Sequence, residues 1–125
     1  MQFYISATSS LASLSQTLQN EYPNLKLMFF TKKHEAQEGS EMKYAIHDTG
    51  NKIGDYKNTP FPRELEVNDI TVSELEALLY EHTAVAVQVM YRSNGVWLES
   101  IKTDYKKLSE LNAINDKYAN LDRSE

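Results

Sequence analysis

Hydrophobic and polar residues alternate most regularly over residues 84–100, which read AVAVQVMYRSNGVWLES. A period of two is typical of a β-strand, because successive side chains point to opposite faces of a sheet. The Asn94-Gly95 dipeptide suits a two-residue type I′ turn, in which both central residues need positive φ. The segment therefore predicts a β-hairpin in which Arg92 lies opposite Trp97.

This register divides the hairpin side chains between two faces of a sheet. The face that we assign to the core carries Val85, Val87, Val89, Tyr91, Val96 and Leu98. The opposite, mixed face carries Trp97, which is the only tryptophan of the chain. A shift of one residue in the register would move the valines to the other face, so the pattern specifies the pairing strongly.

Other parts of the chain are periodic as well. Alternation predicts further strands at Gln2–Ser6, Leu25–Thr31, Tyr44–His47 and Glu64–Asn68. Apolar residues three or four positions apart predict three helices, over residues 11–22, 72–82 and 105–121. Hydroxyl groups among residues 8–10 cap the first helix, Thr71 with Glu74 forms a capping box for the second, and Thr103 or Asp104 caps the third. Residues 58–62 contain two prolines and predict a rigid connection.

The order of these elements indicates an α+β fold, with a single mixed or antiparallel sheet of about five to six strands. Two helices of about three turns each cover one face of such a sheet. The other face would then be solvated, or be covered by the C-terminal helix or by a second chain. The two strand–helix–strand units resemble each other in pattern. We expect residues 1–125 to form a single domain, with residues 102–125 as a C-terminal helical extension whose end frays.

Composition narrows the class of protein. The chain has 125 residues, a net charge of −5 and no cysteine, which excludes disulfides, thiolate metal sites and cysteine nucleophiles. Residues 64–91 contain six acidic residues and no lysine or arginine, so we expect no nucleic-acid partner. No segment is long and apolar enough to cross a bilayer, and we expect no membrane partner. The first ten residues lack the pattern of a signal peptide, which predicts a cytoplasmic location.

Several short stretches are recognisable beyond their periodicity. They are Pro23–Lys26, Phe29–His34, Glu38–Ser40, Thr71–Glu76, Val87–Val89 and Val96–Glu99. Together they resemble a family of small uncharacterised bacterial proteins. The family continues with a helix start like Thr-Asp-Asp-Trp-Thr-Leu, of which residues 103–108 keep the threonine, one aspartate and the leucine but not the tryptophan. The resemblance implies a single-domain α+β fold. It implies no functional residue, because the family has no established activity.

Candidate catalytic and metal-binding groups are few. His34, Glu35 and Glu38 offer ligand atoms, but two lysines precede His34 and no second histidine stands at ligand spacing, so a surface loop is preferred. His47 and Asp48 are adjacent in a predicted strand and therefore point to opposite faces. His82 ends the second predicted helix, where an imidazole meets free carbonyl groups. The four glycines form no phosphate-binding motif. We predict no catalytic residue, no metal and no cofactor.

The mixed face of the predicted sheet is the best candidate for function. It carries Met28, Phe30, Met90, Arg92 and Trp97, and Met, Trp and Arg are enriched at protein interfaces. We therefore favour a noncatalytic protein-interaction module that binds a protein partner or a second copy of itself through this face. The alternative is a small-molecule binder or small enzyme with a pocket near residues 32–63. A weaker alternative is an acidic inhibitor that mimics nucleic acid with the carboxylates of residues 64–81.

Overall fold

A computed structural model describes residues 1–33, 41–57 and 62–114 of the chain. Its regular elements, in chain order, are β1 (Gln2–Ile5), α1 (Leu11–Glu21), β2 (Leu25–Phe30), β3 (Arg63–Glu66), α2 (Val72–Thr83), β4 (Ala86–Ser93), β5 (Val96–Glu99) and α3 (Leu108–Asn112). Two single-turn 3₁₀ helices, Met42–Tyr44 and Ile53–Asp55, lie between β2 and β3. The α+β class predicted from the sequence is confirmed.

The described strands form two antiparallel sheets. β1 pairs with β3, while β2, β4 and β5 form a three-stranded sheet in the order β2-β4-β5. The prediction of a single sheet of about five to six strands is wrong in this respect, since each sheet has fewer strands. Alternation identifies a strand but gives no information on which other strand pairs with it. The two sheets share one hydrophobic core.

The hairpin register is as predicted. Tyr91 lies opposite Leu98 and Arg92 lies opposite Trp97. The turn residues have the required positive φ, which is 51° at Asn94 and 78° at Gly95. A two-residue turn of this kind matches the twist of the strands that it joins, and it therefore fixes their register.

The segment after β2 differs from the prediction. Residues 44–47 do not form a strand; Met42–Tyr44 is a 3₁₀ turn, and Ala45 makes a single bridge with Phe30. The residues that follow, from His47 to Gly50, are all exposed. They supply no apolar side chain that would hold a longer strand against the core, and the pairing therefore ends after one bridge.

The core is formed by the predicted apolar stripes of the helices and by one face of the strands. α1 contributes Leu11, Leu14 and Leu18, and α2 contributes Val72, Leu75 and Leu79. The main contributions of the strands are Phe3, Ile5, Leu25, Leu27, Phe29, Val87 and Val89. The core-facing assignment of these valines is therefore confirmed.

Both long helices begin where the sequence predicts. The Ser13 N–H donates to the side chain of Ser10 at 3.2 Å at the start of α1. At the start of α2, the Glu74 N–H donates to Thr71 Oγ1 and the Thr71 N–H donates to Glu74 Oε1, each at 3.2 Å. Each of these bonds satisfies an amide that has no partner within its helix.

The C-terminal helix begins later than predicted. Its cap is Lys107 rather than Thr103 or Asp104. The Asp104 carbonyl instead accepts a hydrogen bond of 2.8 Å from the Ser73 N–H of α2, which holds this segment in a turn. α3 then buries Leu108 and Leu111 in the core. The rest of the predicted helix, and the fraying of its end, fall on residues 115–125, which lie outside the described residues.

Candidate interaction surface

The register of the three-stranded sheet places the five predicted interaction residues on one face, which we call the mixed face. Met28 and Phe30 lie on β2, Met90 and Arg92 on β4, and Trp97 on β5. Phe30 and Met90 are buried, with 0% and 8% of their surfaces exposed, yet neither belongs to the main core. The other three side chains are half-buried. The mixed face is therefore a second, smaller apolar layer, of which three side chains remain accessible.

Two cations flank the Trp97 indole. The Lys26 ammonium lies 4.4 Å from the ring centroid and the central carbon of the Arg92 guanidinium lies 5.4 Å from it, both within cation–π range. Arg92 is the cross-strand neighbour of Trp97, whereas Lys26 lies opposite Met90, on the far side of β4. Because neighbouring strands are about 4.8 Å apart, the two side chains together span β4 to make this contact. Lys26 and Arg92 thus cover part of the half-buried Trp97 side chain.

Asn24 fixes the Arg92 side chain. Arg92 Nη2 and Nε donate to Asn24 Oδ1 at 2.9 and 3.3 Å, respectively. Asn24 is itself buried and is held by the end of α3: its N–H donates to Asn112 Oδ1 at 2.9 Å, and its Nδ2 donates to the Asn112 carbonyl at 3.1 Å. These bonds join α3 to the cation beside Trp97, so the position of the guanidinium is set by the fold rather than by the hairpin alone.

The expected cover of the mixed face by the C-terminal helix is not found in the described residues. α3 packs into the main core through Leu108 and Leu111, and it reaches the mixed face through Asn112. The reason is the spacing of its two leucines, which lie on one side of a short helix and direct that side toward the core. Lys26 and Arg92 take the place over Trp97 that we expected the helix to occupy.

β5 exposes apolar side chains on the face opposite to Trp97. Val96 and Leu98 are 57% and 42% exposed, although the register places them on the same face as the buried Val87 and Val89. Their predicted face is therefore correct, but their burial is not. α1 packs on β2 and α2 packs on β4, so the described helices cover these two strands on this face and do not extend over β5.

A hydrogen-bonded cluster anchors the start of α3. Asp69 Oδ1 accepts from the Ser109 N–H at 3.0 Å, and Asp69 Oδ2 accepts from the Ser109 hydroxyl. Burial raises the pKa of Asp69, but the hydrogen bonds from Ser109 and Tyr22 and the charge of Lys107 outweigh it and hold the pKa below its usual value. Burial, and then the charges of Asp69 and Glu21, raise the pKa of Tyr22. The cluster ties α3 to the loop before α2.

The histidines do not converge on a site within the described residues. His47 and Asp48 are both exposed. His82 is half-buried in the last turn of α2, with its Nδ1 3.3 Å from Nη1 of Arg63. His34 falls outside the described residues. In the part of the chain that the structure describes, no three His, Asp or Glu side chains are grouped so that they could hold a metal ion.

The sequence predicted the face of Lys26 but not its contact with Trp97, and it gave no indication of Asn24 or Asn112. Lys26 alternates with Met28 and Phe30 along β2, so the strand pattern already placed its charge on the mixed face. Asn24 and Asn112 have no such signal, because they are 88 residues apart and neither is part of a periodic pattern. Only the completed fold brings these two side chains together.

Comparison with known proteins does not assign the chain to a family. No family model matches the chain, and no curated protein and no solved structure matches it significantly. Within the residues that the structure describes, no helix is long and apolar enough to span a membrane. Function therefore has to be inferred from the geometry of the surface around β5.

Proposed function

We propose that this protein is a noncatalytic protein-interaction module that self-associates through β5. The observation that carries the proposal is the exposure of Val96 and Leu98, at 57% and 42%, on one face of a single strand. Val87 and Val89 on the same face are 2% and 0% exposed. Apolar side chains that are grouped on a surface in this way are typical of sites that bind another protein.

The position of β5 supports strand addition as the mode of binding. Among the described strands it is an end strand of the order β2-β4-β5, and an edge strand presents backbone N–H and C=O groups to a further strand. Edge strands are commonly protected by charged side chains, especially lysine, or by proline, whereas three of the four residues of β5 are apolar and only Glu99 is charged. In an antiparallel pair of two β5 strands centred on Trp97, Val96 of each copy would lie opposite Leu98 of the other.

The mixed face supports the same proposal from the other side of the strand. Trp97 would lie on the two-fold axis of such a dimer. Its ring is already flanked by Lys26 and Arg92, and Asn24 holds the guanidinium in place. An aromatic side chain that is ordered before binding loses less conformational entropy on binding, and tryptophan and arginine are common among the residues that dominate binding energy.

Sedimentation velocity over a range of concentrations tests this proposal. We expect a reversible dimer for the unchanged chain and a monomer for Leu98→Lys, because the lysine places a charge in the apolar contact. Tyr105→Lys is the matched control, since Tyr105 is 64% exposed and lies outside both sheets. Circular dichroism checks that each variant is folded. A monomer at every concentration, or a dimer that Leu98→Lys leaves intact, rules the proposal out.

The other hypotheses receive less support from the described residues. Of the segment assigned to a pocket, residues 32–63, residues 34–40 and 58–61 lie outside the described part of the chain. A mimic of nucleic acid needs free carboxylates, but Glu76 is buried and accepts a hydrogen bond from the Val89 N–H at 2.9 Å. A cytoplasmic location remains part of the proposal, because a chain without cysteine does not depend on an oxidising compartment.

A further inference from the structure

The two halves of the chain repeat the same helix start. Ser10 caps α1 and Thr71 caps α2. In each half, the first two N–H groups of the helix donate to two carbonyl groups of a segment that comes later in the same half. The four hydrogen bonds run from Leu11 to Asn51 (3.0 Å), from Ala12 to Thr49 (2.9 Å), from Val72 to Lys106 (2.9 Å) and from Ser73 to Asp104 (2.8 Å).

The segments that supply these carbonyl groups also repeat. Lys52 makes a single bridge with the cap Ser10, and Lys107 makes one with the cap Thr71. The residue after each lysine has 0% of its surface exposed and donates its N–H to the carbonyl just before the helix cap. These two bonds run from Ile53 to Ser9 (2.9 Å) and from Leu108 to Ile70 (3.0 Å). The short helix Ile53–Asp55 is therefore the counterpart of α3.

Each long helix also holds the following strand in the same way. Ser15 Oγ of α1 accepts from the Leu27 N–H at 3.0 Å, and Glu76 Oε2 of α2 accepts from the Val89 N–H at 2.9 Å. Ser15 and Glu76 occupy the same position relative to the cap of their helix. Leu27 and Val89 are therefore equivalent residues of two repeated units.

The strand pairing relates these units by a two-fold axis. Leu27 lies opposite Val89 in the pairing of β2 with β4. Phe3 lies opposite Leu65 in the pairing of β1 with β3, with the same separation in sequence as Leu27 and Val89. When equivalent residues lie opposite each other in an antiparallel pair, the two copies are related as the subunits of a two-fold dimer are. The chain is thus built as two β–α–β units that bind each other through their strands.

We infer that the surface joining the two halves also accepts the opposite half of a second copy, which gives a dimer with exchanged halves. Each half keeps its own helix caps, whereas β1 pairs with β3 and β2 pairs with β4 only across the halves. An exchanged dimer would repeat all of these contacts, with the two halves of each contact supplied by different copies of the chain. This inference does not use β5 and is independent of the proposed function.

The closed monomer and the exchanged dimer have the same contacts. The protein concentration during refolding therefore determines which of the two forms. A half joined by a short connection competes at an effective concentration on the order of 1 mM. Refolding from denaturant at about that concentration should therefore produce the exchanged dimer, while refolding of a dilute solution should produce the monomer.

Single-cysteine variants report the exchange directly, since the natural chain has no cysteine. Tyr4 and Glu64 lie opposite each other in the pairing of β1 with β3, and both are exposed. Opposed residues of antiparallel strands have Cα atoms about 4.5–5.5 Å apart, within the range that a disulfide spans. We would denature Tyr4→Cys and Glu64→Cys chains of different size tags, refold them together at high concentration, and oxidise them.

The expected result is a mixed covalent dimer in several-fold excess over the yield from Tyr4→Cys with Tyr105→Cys, which measures random collision. The double variant Tyr4→Cys/Glu64→Cys, refolded dilute, is the positive control and should form its disulfide within one chain. If that control oxidises and the mixed dimer does not exceed the collision yield, the inference is wrong. Adding Leu98→Lys should leave the mixed dimer unchanged, and its loss would also contradict the inference.

Discussion

The Lys26 ammonium lies 4.4 Å from the centroid of the Trp97 ring, although β4 separates the two strands that carry these residues. Arg92 approaches the same ring from β4, at 5.4 Å. The only tryptophan of the chain is therefore positioned by contacts that involve all three strands of this sheet. The fluorescence of Trp97 should therefore depend on Lys26, which lies near the start of β2.

The first prediction concerns that coupling. Lys26→Met keeps an unbranched side chain of similar length and removes the charge, so it should cost about 0.5–1 kcal/mol of the free energy of unfolding. The fluorescence of Trp97 should change as well, because the cation is removed from the face of the indole. Urea titration and emission spectra measure both effects. Lys102→Met, at an exposed position outside the sheets, should change neither of them.

A second prediction concerns Glu76, whose Oε2 accepts the Val89 N–H at 2.9 Å. Glu76→Ala leaves this buried amide without its acceptor and should cost about 1–3 kcal/mol. Glu76→Gln keeps an acceptor oxygen and should recover most of the lost stability. Thermal unfolding of the three chains separates the effects. Equal losses for Ala and Gln would show that the carboxylate charge, and not the hydrogen bond to β4, is what the fold requires.

The hairpin and the helices could be predicted because their signals are local. The Asn94-Gly95 turn and strict alternation place Tyr91 opposite Leu98, and the structure has that pairing. Likewise, the spacing of apolar residues places Leu14 and Leu75 on the inner faces of their helices, where both are buried. In each case one short segment contains the information that decides the geometry.

The rest depends on contacts between distant residues. Nothing in the sequence of β1 indicates that Phe3 pairs with Leu65 rather than with a residue of β2, so one sheet was expected where there are two. The exposure of Leu98 depends on how far the helices extend across the sheet, which the strand pattern does not contain. The hydrogen bonds between Asn24 and Asn112 likewise depend on the whole fold and not on a local pattern. Periodicity gives the face of a side chain but not what lies over it.

A third prediction tests the close approach of the 3₁₀ helix Ile53–Asp55 to the turn that contains Ala7. A Cβ atom on Gly54 would lie 2.7 Å from the Ala7 carbonyl oxygen, to which the Gly54 N–H already donates at 3.0 Å. Gly54→Ala should therefore destabilise the protein by about 1–3 kcal/mol, as overpacking does. Gly50→Ala is the control, since its Cβ would meet only the flexible side chain of Asp48, at 3.1 Å. Equal midpoints of thermal unfolding for the two variants would contradict the prediction.

The last prediction concerns acid stability and the clamp between Asp69 and Ser109. Burial raises the pKa of Asp69, but the hydrogen bonds from Ser109, the charge of Lys107 and the Tyr22 hydroxyl lower it by more, so the folded carboxyl has a pKa below its ordinary 3.8. The unfolded chain therefore takes up this proton first as the pH falls. The stabilisation is fully present above the unfolded pKa, and it is lost between that value and the folded pKa.

Asp69→Asn should consequently lower stability at neutral pH and flatten its decline below about pH 4. The expected loss is under about 1 kcal/mol, because the carboxylate is exposed and screened by solvent. Ser109→Ala should give part of the same effect, since it removes one of the two bonds from Ser109 and keeps the other. Urea midpoints at a series of pH values measure the effect, with Glu81→Gln as the control for the loss of an exposed carboxylate elsewhere. An Asp69→Asn curve parallel to that of the unchanged chain down to pH 2 would show that the clamp does not contribute to acid stability.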